Sequence, residues 1–165
     1  MARYYYAGGE RRILDPVDDR VAIDTRGAAD KGLGDAVRAL AVASKLPGGM
    51  IIADRSSLSS DLYDRLNAAG LVQPVYRSGA TLVAPMPEVR VELEGDQHAA
   101  AVEAIDASHV AAEVTDDTSE RLSLRPRSGS GEDALDLANF IYERAHPAAS
   151  SVRMFQVVPK PGSTR

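Results

Sequence analysis

Serine, histidine and aspartate all occur in this 165-residue chain, so nucleophilic hydrolysis is the first chemistry to weigh. The three histidines, His98, His109 and His146, fall in different stretches, and none adjoins a nucleophile elbow of the G-x-S-x-G type. The nearest string, Ser128-Gly129-Ser130-Gly131, stands before an apolar helical pattern and reads as a loop and helix N-cap. That loop could also hold an anion at a helix N-terminus. Glu132 and Asp133 already place negative charge there, which favours the helix dipole and repels phosphate. Glu92, Glu94 and Asp96 alternate along one strand and are oxygen ligands of the kind a hard cation takes. With Arg90 and Arg125 to balance them, they read as a solvated strand face. Asp15, Asp18 and Asp19 read as turn formers. No catalytic, cofactor-binding or metal-binding residue is assigned.

Contact chemistry is more promising. Tyr4, Tyr5 and Tyr6 lie on a strand, where alternate side chains face opposite sides, so one ring is expected buried and another exposed. Exposed tyrosine favours protein contacts; the competing reading packs this hairpin against its own half of the chain. At the other end, residues 159–165 form a proline-stiffened tail that could enter a partner's cleft by strand addition, or simply fray. The expected partner-binding set is Tyr4, Tyr6, Phe155, Val157, Pro159, Lys160 and Pro161.

Composition narrows the classes. The net charge is −5, and Lys31, Lys45 and Lys160 are the only lysines, with the arginines scattered singly among acids. Phosphate backbones need a basic patch, so nucleic acid is not expected as a partner. There is no cysteine, which excludes disulfides, thiolate metal sites and thiol catalysis. No apolar run approaches the ~18 residues of a spanning helix, and the first residues lack a signal-peptide core, so a cytoplasmic protein without membrane contact is expected.

The elements that must position these residues follow from periodicity. Arg3 to Ala7, Gly8-Gly9 and Arg11 to Leu14 read as a β-hairpin. Val21, Ile23 and Thr25 alternate as a strand, and Asp30 to Lys45 follows as a helix with Leu33, Val37 and Leu40 inward, stopped by Pro47-Gly48-Gly49. Met50 to Ala53 reads as a buried strand. Ser59 or Ser60 caps a helix facing Leu62, Leu66 and Ala69 inward and ending at Gly70. Leu71 to Arg77 is a strand in which Pro74 requires an edge or a bulge. Thr81 to Ala84 is another strand, and Pro85-Met86-Pro87 marks the boundary between halves. Beyond it Val89, Val91 and Leu93 alternate, and Asp96 caps a helix burying Ala101, Val102, Ile105 and His98. His109 to Val114 and Glu120 to Arg125 are strands around a turn at Asp116 to Ser119. Gly131 to Ala145 is a helix with Ala134, Leu137, Ala138, Ile141 and Ala145 on one face and Leu135 and Tyr142 flanking, and Val152 to Val158 closes as a strand.

The second half thus reads strand, helix, strand, strand, helix, strand. That order suits a four-stranded antiparallel sheet with both helices on one face, the ferredoxin-like arrangement, with right-handed crossovers. The first half repeats it with one inner strand missing and a hairpin added. The expected class is α+β: two ferredoxin-like βαββαβ-type modules in tandem, at residues 1–86 and 87–159, with a tail at 160–165.

Several phrases resemble the N-terminal, propeptide-like region of bacterial subtilisin-family serine peptidases. YYYAGGERRILDPVDDRVAI is similar to the tyrosine-rich strand, Gly-Gly turn and "DRVAV" phrase that precede the catalytic domain there. AAGLVQPVYRSG resembles the end of a first module, EVRVELEG the opening strand of a propeptide module, and DALDLANFIYERA its helix. The resemblance implies a ferredoxin-like fold and a folding chaperone or inhibitor that lays its sheet face on the protease. Two departures stand out: no catalytic domain follows, so the protease would be a separate chain, and SSVRMFQVVPKP does not match the family's "V-E-Y-A-x-P-N" strand. The expected function is a non-enzymatic, protein-binding inhibitor or chaperone of a subtilisin-like protease. The alternative is an adaptor or self-assembly module, including a homo-oligomer.

Overall fold

Glycine, proline and apolar alternation divide the chain into strands and helices, which a computed structural model describes for residues 3–40, 42–45 and 47–157. In order they are β1 (Arg3–Ala7), β2 (Glu10–Asp24), α1 (Thr25–Asp30), α2 (Gly34–Arg38), β3 (Val42–Lys45), β4 (Met50–Asp54), α3 (Ser60–Ala68), β5 (Val72–Ser78), β6 (Thr81–Glu92), α4 (Gln97–Ala107), β7 (Ala112–Asp117), β8 (Arg121–Pro126), α5 (Gly131–Ala145) and β9 (Ala149–Val157). The class is α+β, with mostly antiparallel strands. Two compact units emerge, one holding Asp15–Ala84 and residues 155–157, the other holding residues 3–14 and Pro85–Met154.

In the first unit the strands lie in the order β3-β4-β2-β5, and β5 continues onto the start of β6. The helix expected over Asp30 to Lys45 is replaced by α1, α2 and a strand. Gly32 takes φ 75°, a left-handed conformation that breaks the helix after Asp30. Val42 to Lys45 then has sheet to pair with, and does so opposite Ile51, Ile52 and Ala53 of β4. The strand missing from the sequence reading is therefore present. Ser59 caps α3 as expected, its Oγ accepting from Leu62 N at 3.1 Å. Pro74 falls where the β2–β5 register shifts, the bulge its missing donor demands. Val21, Ile23, Ile51, Ala53 and Val72 on one sheet face pack with Ala28, Val37, Leu62 and Leu66 from the helices and with Leu33 and Leu40, which flank α2.

In the second unit the order is β9-β6-β8-β7. Val89, Val91, Leu122 and Leu124 from the strands meet Ala101, Ala104, Ala134, Leu137, Ala138 and Ile141 from α4 and α5. β6 runs unbroken through Pro85 and Pro87, where a boundary between two strands was expected. Residues two apart aim their N–H groups at the same side, so these prolines remove donors from one edge only. β7 begins at Ala112 and takes in Asp116 and Asp117, three residues later than the sequence reading placed it. Asp96 stands before α4 but makes no side-chain cap bond, and Gln97 takes up neighbouring amides instead, as described below. His98 is half-buried rather than facing the core.

The hairpin of β1 and the first residues of β2 is the main correction. It was expected with the first half, but it lies in the second unit, packed on α5. The physical reason is a helix with two faces to cover. Leu135 and Asn139 are buried (1% and 8% exposed) although they point away from the stripe of α5 that meets the sheet.

Candidate partner-binding surfaces

β1 and β2 pair from Arg3↔Leu14 to Ala7↔Glu10, closed by Gly8 and Gly9 with φ 59° and 80°. Alternation along β1 sends Tyr4 and Tyr6 to one side, where both hydroxyls donate to the same carboxylate oxygen, Glu143 Oε2, at 2.9 and 2.6 Å. Arg11 Nη2 donates to Tyr6 Oη at 3.2 Å, lies 3.6 Å from Glu143 Oε2, and its guanidinium sits 4.2 Å from the Tyr4 ring centroid. The Tyr6 ring stacks on Tyr142 at 4.4 Å. Asn139 Nδ2 donates to the Tyr4 carbonyl at 2.8 Å, and Arg3 pairs with Asp136 at 2.6 Å and Glu132 at 3.2 Å.

Electrostatics follow from this packing. Burial, and then the hydrogen bond to Glu143, push the Tyr4 phenol above its ordinary value of 10.0. Burial raises the Asp136 carboxyl too, against the opposing pull of Arg3. All five residues of β1 are half-buried, so the expected division into a buried and an exposed ring is not seen. Tyr4 and Tyr6, expected to face a partner, are held by α5 of their own unit.

The opposite face of the second unit's sheet is polar. Arg153 bonds Glu88 at 3.1 Å, Arg90 bonds Glu92 at 2.6 Å, and Arg121 bonds Asp116 at 2.9 Å, while Arg125 stands opposite Glu113. Arg90, Arg125, Ser151 and Arg153 are exposed. Of the expected set on the closing strand, Phe155 and Val157 are half-buried in β9, and the aromatic tip of Phe155 lies 3.9 Å from where a Cβ on Gly48 would be. Pro159, Lys160 and Pro161 lie outside the described residues.

The other sequence candidates scatter. His98 Nε2 is 2.7 Å from Asp117 Oδ1, His109 is exposed, and His146 ends α5 in the left-handed region at φ 47°. Ser130 Oγ accepts from Glu132 N and Asp133 N, which makes it a helix cap. Among the described residues, no group of three or more histidine, aspartate and glutamate side chains is placed to hold a metal ion. None of the described helices is long and apolar enough to cross a membrane.

Sequence reasoning missed Arg3, Arg11, Asn139 and Glu143, and it also missed Gln97. Gln97 Oε1 accepts from Glu94 N at 2.8 Å and Ala148 N at 3.0 Å, and its Nε2 donates to the His146 carbonyl at 3.3 Å. One side chain thus ties the start of α4 to the turn after α5. A signal for the hairpin seat existed: Leu135, Asn139 and Tyr142 recur at i, i+4 and i+7, flanked by the acids Glu132, Asp136 and Glu143. Compared with protein-family models and with curated proteins, the chain matches none.

Proposed function

We propose that the chain is a pair of ferredoxin-like modules that binds protein without catalysing a reaction, and that its partner is a subtilisin-like serine protease on a separate chain. The observation carrying the reading is the order β9-β6-β8-β7 with α4 and α5 on one face, which leaves the opposite face exposed beside an outer closing strand. The first unit repeats this order as β3-β4-β2-β5, which supports the tandem description. An exposed face carrying Arg90, Arg125 and Arg153 among acids offers complementary charges to a partner surface. The adaptor alternative drew on free tyrosine rings, and the engagement of Tyr4 and Tyr6 by Glu143 takes that support away.

The test is to titrate the protein into a bacterial subtilisin and follow peptide hydrolysis. Competitive inhibition that weakens on deleting residues 159–165 supports the reading. Hydrolysis that is unaffected by both the intact and the shortened protein sinks it, and a complex without inhibition transfers support to the adaptor.

A further inference from the structure

We infer that the N-terminal hairpin is a strap that lifts off α5 as a piece while the core of the second unit stays folded. Its attachment and the core use different residues. None of residues 3–13 belongs to the apolar cluster that joins β6 and β8 to α4 and α5. Within the sheets β1 pairs with β2 alone, so no ladder bonds it to the strands that carry that core.

Besides the stacking of Tyr6 on Tyr142, the fastening is polar and converges on few groups. Glu143 receives both tyrosine hydroxyls and stands beside Arg11, while Arg3 reaches Glu132 and Asp136. The side chains in these ion pairs are 35% to 55% exposed, so salt reaches them. Leu14, fully buried, marks where the strap ends. An isolated two-stranded hairpin is marginal in water, so a lifted strap loses the protection of its own amides. Lifting uncovers a stripe of α5 at Leu135, Asn139 and Tyr142.

Hydrogen exchange on the intact chain reads this directly, comparing amides of residues 3–14 with those of β8 in about 0.1 M and about 1 M NaCl. The hairpin amides are expected to exchange at least about tenfold faster than those of β8. High salt and, separately, Glu143→Gln are expected to speed them a further 3–10-fold or about that, with β8 unchanged. The salt series needs no substitution, so it stands even where the variant folds poorly. A common rate for hairpin and β8, or a hairpin rate indifferent to salt, overturns the strap.

Discussion

Between its first two core strands the first unit carries α1 and α2, of six and five residues, where the second unit carries the 11-residue α4. The next helix is again shorter in the first unit, nine residues in α3 against 15 in α5. Yet the order of four strands is the same in both. The difference shows what each layer must supply. Strand order depends on alternation and pairing, whereas a helix need only offer one apolar stripe, and two fragments offer it through Ala28 and Val37, with Leu33 between them. α3 buries only Leu62 and Leu66, while α5 buries a second row and so needs a second cover, supplied by β1 and β2.

The strongest way to break this comparison is to cut one buried leucine from each unit. Leu66→Ala and Leu137→Ala each remove a side chain with no exposed area and should cost about 2–5 kcal/mol. Residue-resolved hydrogen exchange should show the loss chiefly in the unit that carries the substitution; an equal loss throughout would contradict two separate clusters. A smaller effect sharpens the helix contrast. Ser130→Ala and Ser59→Ala should each cost about 1 kcal/mol in urea unfolding, with Ser130→Ala the larger because its hydroxyl serves two amides and that of Ser59 one.

The least of the three concerns pH and only the second unit. The folded chain holds the Tyr4 proton more tightly than the unfolded chain. The stability this contributes is complete below the ordinary value of 10.0 and is lost as pH rises through the higher folded value. Tyr4→Phe should therefore flatten the alkaline limb of the stability profile, measured by unfolding between about pH 9 and 12. An unchanged limb would mean that the phenol is not held as described.

Much of this architecture was legible because apolar periodicity is local. α5 runs over Gly131–Ala145 as its stripe requires, and Ser59 and Ser130 cap where hydroxyls precede apolar runs. β3 was not legible. Val42 to Lys45 continues a helical spacing from Leu33, and only pairing with β4, itself held by β2, turns it into a strand. That the hairpin occupies the seat on α5 was hidden because Arg3 and Asp136 are 133 positions apart. Gln97 was invisible because a lone amide carries no periodic signal, and its three partners are defined only once α4 and α5 are in place.

That long separation has a consequence for how the protein is made. Asn139 and Glu143, which seat the hairpin, are synthesised 135 to 139 residues after Tyr4. At ~5–20 residues per second, that is a wait of roughly ten seconds. During that time Tyr4, Tyr5 and Tyr6 are available to whatever they meet, and the arginines beside them help keep the nascent segment from pairing with other chains. The hairpin is made well before the helix that seats it.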